Sequence, residues 1–246
     1  MKMEIDTSLF NTLTERVRTG LATVRGAIEA VAVDGCALDP TKITIIGVTK
    51  GWGPEAVLAG LVNGLSWFGE NYADELVEKA AAVGRALEDG VVPPPASGPK
   101  WTFQGRIQSN KIARLKNIVE LWQSVDTVEH VQALGLRVPG AEVLIQVLLD
   151  DSNTRSGCLS GALPSVVAAA QASGLHVNGL MGVAPDVALH GQIAANEAFI
   201  RLQQLAADQQ LRVLSMGMSN DYQLAVAHGA THLRLGSILF GERRAA

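Results

Sequence analysis

Short runs of apolar and β-branched residues recur along the chain, and each is followed by a stretch with helical spacing; there are eight such pairs. The first run, Thr44-Ile45-Ile46-Gly47-Val48-Thr49, is apolar on both faces instead of alternating. That is the pattern of a parallel strand covered on both sides. The spacing predicts strands over 43–49, 66–69, 101–104, 121–125, 143–149, 177–181, 212–216 and 232–235. Helices are expected over 54–61, 72–87, 128–136, 163–172, 189–207 and 221–228, with a short basic one inside 107–118. Ahead of the first strand, Leu9, Leu13, Val17, Leu21, Val24, Ile28 and Val31 recur every three or four residues, marking one long amphipathic helix.

Parallel neighbours need crossover connections, so an unbroken β/α alternation favours a closed barrel or an open doubly wound sheet. Eight evenly spaced units in 246 residues without a domain break favour the barrel. Gly-x-Gly-x-x-Gly does not follow the first strand, and there is no P-loop sequence. The expectation is an α/β chain forming one (β/α)8 TIM barrel over 1–246 with an extra N-terminal helix, and a proline-rich surface loop over 89–100.

Acidic side chains number 24 and basic ones 20, a net charge of -4 without a polybasic run, which disfavours nucleic acid as a partner. No apolar run reaches the roughly eighteen residues that a membrane span needs. Met1-Lys2-Met3-Glu4-Ile5-Asp6 is too polar for a secretion signal. Cys36 and Cys158 are isolated thiols, so neither a disulfide framework nor a metal centre is expected, and the cytoplasm is the default compartment.

A barrel places its ligand site at the C-terminal ends of its strands, because the interior is packed with side chains. Those ends carry Lys50, Glu70-Asn71, Gln104-Gly105-Arg106, Asp126, Asp150-Asp151, Met181-Gly182, Gly217-Met218-Ser219-Asn220 and Gly236-Ser237. Lys50 either lays its stem on the rim with its ammonium in water or turns its amine into a pocket. After the seventh strand, Gly217 permits a close turn, while Ser219 or Asn220 can cap the following helix and leave N–H groups for an anion. Gly236-Ser237 repeats that arrangement after the eighth. The pair reads either as two ordinary capped turns or as the phosphate site of a barrel. Arg234 lies within the eighth strand and needs partners, which are a helix carboxylate if it faces outward and a ligand acid or ring nitrogen if it faces inward. A lysine and a phosphate site on one face suggest a phosphorylated aldehyde held as an imine.

Several motifs in order resemble the YggS/PROSC family, the pyridoxal-phosphate homeostasis proteins, and more distantly the N-terminal barrel of alanine racemases. They are Gly47-Val48-Thr49-Lys50, Phe68-Gly69-Glu70-Asn71-Tyr72, Phe103-Gln104-Gly105-Arg106-Ile107-Gln108-Ser109-Asn110-Lys111, the Ser156-Gly157 exit of strand five, Gly179-Leu180-Met181, Leu214-Ser215-Met216-Gly217-Met218-Ser219, and Arg234-Leu235-Gly236-Ser237 with Phe240-Gly241. The resemblance covers about 9–243. It implies pyridoxal 5'-phosphate (PLP) held as an internal aldimine on Lys50, with the phosphate on Ser219, Ser237 and backbone N–H groups near Met218 and Gly236. It implies Arg234 at the pyridine nitrogen, Asn71 at the polar edge of the cofactor and Met181 beside the ring. An arginine at the ring nitrogen makes the ring a poorer electron sink, which suits storage better than rapid carbanion chemistry.

The chain departs from the family at Gly51-Trp52-Gly53-Pro54, where a second lysine and a proline are common, at Arg106, and at Arg155, where lysine is frequent. Alanine racemases use a second domain and a tyrosine acid. Here the chain ends at Ala246, soon after the eighth strand, and its tyrosines are Tyr72 and Tyr222, so no such domain is expected. The expectation is a monomeric cofactor carrier in intracellular PLP homeostasis, limiting free aldehyde and supplying apo-enzymes. A slow PLP-dependent racemase or related amino-acid enzyme is the alternative, and a phosphate-ligand barrel without aldehyde chemistry is a third reading.

Overall fold

The computed structural model describes residues 5–33, 39–93, 95, 98–150 and 156–242. Eight strands, β1 (Thr44–Val48), β2 (Trp67–Glu70), β3 (Lys100–Phe103), β4 (Val119–Val125), β5 (Glu142–Val147), β6 (His176–Gly182), β7 (Val213–Ser215) and β8 (His232–Leu235), pair in sequence order. All pairs are parallel, and β8 closes on β1. The eight strands were therefore legible, all of them to within two residues at either end.

The crossovers are α2 (Pro54–Val62), α3 (Ala73–Glu88), α4 (Ile112–Leu115), α5 (Val128–Arg137), α6 (Leu163–Ala172), α7 (Val187–Asp208) and α8 (Tyr222–Ala227). Pro54 opens α2, where its missing N–H costs nothing, and Thr127 caps α5 by accepting the His130 N–H at 3.2 Å. The predicted helix over 189–207 is interrupted, since Gly191 sits at φ +80° inside α7. Among the described residues only the four-residue α9 (Ser237–Phe240) follows β8, too short to cover the outer face of the β8–β1 seam. The N-terminal α1 (Thr7–Val33) takes that place, packing on α2, α8 and α9 through Leu13, Val17, Leu21 and Val24. The extra helix is thus a structural part of the barrel wall.

The main core lies between strands and helices and includes Phe68, Phe103, Trp122 and Phe199. Each such side chain contributes about 2–3 kcal/mol by leaving water. Inside the barrel, Leu121, Leu144 and Met181 form a small apolar cluster. Two residues farther along β4 and β7 the interior turns polar, with Gln123 and Ser215 fully buried beside Thr102 and Arg234. The interior is packed with side chains, as expected of a barrel, and part of that packing is polar. Polar side chains are tolerated there because they bond one another across the barrel.

Cys36, Pro94, Asp151 and Arg155 lie outside the described residues. Among the described residues no helix is long and apolar enough to cross a membrane. His228 and His232 are spaced four apart, on the cap of α8 and the start of β8, and no metal-binding group of His, Cys, Asp or Glu occurs among the described residues.

Candidate functional site at the barrel mouth

Lys50 does not end the strand as read from the sequence, because β1 stops at Val48. The chain then turns, with the Trp52 N–H donating to the Thr49 carbonyl at 3.0 Å and Gly51 at φ +75°. A positive φ at the third position is that of a type II turn, and it explains the glycine. Lys50 occupies the second position, partly buried, and lines two adjoining cavities of about 700 and 380 Å³. Gln104, Met218 and Arg234 also line both.

The smaller cavity is bounded by Trp52, Ser219, Asn220, Gly236 and Ser237. Ser219, with Asn220, was one of two candidate caps for the following helix. The Ser219 Oγ instead accepts the N–H groups of Gly236 and Ile238, both at 3.3 Å, and so ties the β7 exit to the start of α9. Asp221 precedes α8 without a side-chain capping bond; its Oδ1 accepts the Met218 N–H at 2.5 Å. Burial pushes the Asp221 carboxyl above its usual range, against that N–H and the charge of Arg234.

The larger cavity is lined by Asn71, Met181, Asp126, His130 and Gln146. Met181 is buried, while Met218 is partly exposed on the rim. Asn71 Oδ1 and Gln104 Nε2 are buried without a hydrogen-bond partner among the described residues. Such atoms are costly unless a ligand or water meets them. His130 Nδ1, in the first turn of α5, and Asp126 Oδ1, two residues before that helix, lie 2.7 Å apart. Neither His130 nor Gln146 was anticipated, although the i,i+4 spacing of Asp126 and His130 was available in the sequence.

Arg234 faces inward, resolving the two readings left open. Its Nη1 donates to the Ser215 carbonyl at 2.6 Å and to Ser215 Oγ at 3.0 Å, and its Nη2 to the Gly182 carbonyl at 2.8 Å. Ser215 Oγ donates to Gln123 Oε1, and Gln123 Nε2 to Thr102 Oγ1, each at 2.5 Å. This chain crosses the barrel and holds the guanidinium beneath both cavities; sequence reading gave Thr102 and Gln123 no role and named Ser215 only within a motif. Burial lowers the Arg234 pKa to about 10, with Asp221 opposing, so the group stays charged at neutral pH. Burial and Arg234 together hold the His232 imidazole down to about 4. Behind Lys50, buried Glu70 and Lys79 form an ion pair with an N–O distance of 2.5 Å. Burial raises the pKa of Glu70, and Lys79 opposes the rise.

Neither tyrosine lines these cavities: Tyr222 is buried below the β7 exit and Tyr72 is exposed. The eight residues singled out from the sequence, Lys50, Asn71, Met181, Met218, Ser219, Arg234, Gly236 and Ser237, all line one or both cavities.

No family model matches the chain. The pyridoxal phosphate homeostasis protein of Pseudomonas aeruginosa is 32% identical over 240 residues, spanning 95% of this chain and 96% of that one. The solved structure of PipY from Synechococcus elongatus with PLP bound superposes with a TM-score of 0.70 at 28% identity, covering 93% of this chain and 100% of that one. An alanine racemase of Clostridium difficile shares the fold alone, with a TM-score of 0.67 at 12% identity, over 94% of this chain and 57% of the racemase. Near-complete mutual coverage at that level of identity places the barrel and its mouth in one lineage, and the chain belongs to the pyridoxal phosphate homeostasis protein family.

Proposed function

We propose that the protein binds PLP at the barrel mouth, covalently through Lys50, and acts as a carrier in PLP homeostasis. The observation that carries this reading is the position of Lys50 between two joined cavities, one edged by serine and backbone N–H groups and the other by buried unpartnered amide atoms. The residues present fit the group. The Gly236 and Ile238 N–H groups meet Ser219 Oγ at only 3.3 Å, a long contact that a phosphate oxygen can displace or share. Ser219, Ser237 and the Gly236 backbone would hold the phosphate.

When bound, the cofactor would supply an aldehyde able to condense, with loss of water, with the neutral Lys50 amine. Lys50 is the amine on the cavity wall. Arg234 would donate toward the ring nitrogen and oppose a second proton there. Its Nη1 and Nη2 are already committed to Ser215 and Gly182, so it is fixed before a ligand arrives. Asn71 and Gln104 would meet polar edges of the ligand, and Met181 would pack beside the ring. With no tyrosine lining either cavity, a two-base racemase finds no support in the described residues. A carrier of this design supplies apo-enzymes that use the same cofactor, and amino acids are the natural small ligands of its open lobe.

Borohydride reduction after PLP loading, followed by peptide mapping, tests the reading. A pyridoxyl group on the Lys50 peptide is expected, with none in Lys50→Ala although that variant keeps the wild-type circular dichroism. A covalent adduct that persists in Lys50→Ala would refute the assignment.

A further inference from the structure

The turn that carries Lys50 is gripped on both sides by one cluster of charged side chains. On one side the Thr49 carbonyl accepts Lys79 Nζ at 2.7 Å, and the Thr49 hydroxyl donates to Glu70 Oε1 at 2.7 Å. On the other side the Gly51 N–H donates to Glu75 Oε1 at 2.6 Å. Lys79 Nζ joins the halves, donating to Glu70 Oε1 at 2.5 Å and to Glu75 Oε1 at 2.8 Å.

Lys79 is only 4% exposed and Glu70 is fully buried. Burying an ammonium and a carboxylate is expensive, and an apolar pair of like volume fills such space at less cost. What an apolar pair cannot do is bind peptide groups. The three acceptors of Lys79 match the three protons of its ammonium. One of them is the peptide oxygen before Lys50, and another is the carboxylate that takes the peptide N–H after it. Independently of the cluster, the Trp52 N–H closes the turn on the Thr49 carbonyl at 3.0 Å. Glu75 and Lys79 stand one turn apart on α3, and Glu70 ends β2, so the orientation of that helix is relayed to the Lys50 backbone. None of the three lines the mouth cavities.

We propose that Lys79, acting with Glu70 and Glu75, is a positioning residue for Lys50. It fixes the Thr49 and Gly51 peptide groups so that the amine is presented to the cofactor aldehyde in one orientation. This rests on the reading of Lys50 as the PLP anchor.

The test compares Glu75→Ala, Glu75→Gln and Lys79→Met in the full chain, by two readouts. In the protein without PLP, amide hydrogen exchange at Gly51 is expected to rise about tenfold in Glu75→Ala, the loss of one charge-assisted acceptor, while β5 amides stay protected. In Glu75→Gln the amide oxygen still accepts, so protection returns to within about twofold. With saturating PLP, the rate of borohydride trapping on Lys50 falls about tenfold in Glu75→Ala and Lys79→Met and recovers in Glu75→Gln. Glu75 is partly exposed, so its variants carry the test if Lys79→Met does not fold. Wild-type Gly51 exchange and wild-type trapping in Glu75→Ala, even with a lower melting temperature, would reduce the cluster to a structural role and overturn the proposal. Absence of any adduct in the wild type overturns the anchor reading instead, and the exchange data still decide whether the clamp exists.

Discussion

The polar chain across the barrel makes a quantitative prediction. Gln123→Leu keeps the volume at a fully buried position but removes the donor to Thr102 Oγ1 and the acceptor for Ser215 Oγ, both at 2.5 Å. Thr102 Oγ1 is then left without its partner, while Ser215 Oγ still receives Arg234 Nη1 at 3.0 Å. Each neutral bond is worth about 1 kcal/mol net, and a stranded buried hydroxyl costs about 1–3 kcal/mol. The expected destabilisation is therefore about 2–4 kcal/mol. Thr102→Val strands only Gln123 Nε2 and is expected to cost about 1–2 kcal/mol. In the double variant neither partner of the Thr102–Gln123 bond remains, so its cost should fall short of the sum by about 1 kcal/mol. Urea denaturation followed by circular dichroism measures all four proteins. Additivity within about 0.5 kcal/mol, or a Gln123→Leu variant as stable as the wild type, would show that the chain is not a coupled network and that an apolar interior serves equally well.

His232 titrates near 4 in the fold and near 6.5 when unfolded, so between those values the unfolded chain binds more protons. Stability contributed by keeping it neutral is complete above pH 6.5 and is lost as pH falls toward 4, by at most about 3 kcal/mol and less where water reaches the ring. His232→Gln should flatten that part of the denaturation–pH curve, and an unchanged slope would count against the argument. Gly105→Ala puts a Cβ 1.7 Å from the Asn71 carbonyl oxygen, a backbone atom that cannot step aside. It should cost about 2–3 kcal/mol by urea denaturation and weaken PLP binding through displacement of Asn71. Gly84→Ala in α3 meets nothing within 4 Å and should stabilise by about 0.5–1 kcal/mol, which makes it the control.

The parts of the fold that were readable in the sequence are those set by local pattern. Strands apolar on both faces and helices with a three-to-four spacing announce a closed parallel barrel, because each element reports its own burial. Residues at strand ends could likewise be assigned to one face, since a barrel leaves them no other place, and the resemblance then suggested roles for them. Lys50 was found this way even though it stands in a turn past the strand, because the shift of a residue or two leaves it on the same rim.

What stayed hidden depends on pairs far apart in the chain. Thr102, Gln123 and Ser215 sit in strands where a lone polar side chain looks like a solvated face, and their burial is intelligible only once Ser215 meets Gln123, 92 positions away. Lys79 is the sharper case. On α3 it falls among Asp74, Glu75 and Glu78, and the charge pattern reads as an exposed helix flank with ordinary i,i+4 pairing. The structure instead buries it against the Thr49 carbonyl, 30 positions earlier. A buried cation is destabilising by itself and is affordable only where its partners are fixed in advance. The turn around Lys50 supplies one such partner, and Glu70 at the end of β2 supplies another. The cation and the turn therefore order each other, and a lysine that looked like surface is better understood as part of the scaffold beneath the anchoring amine.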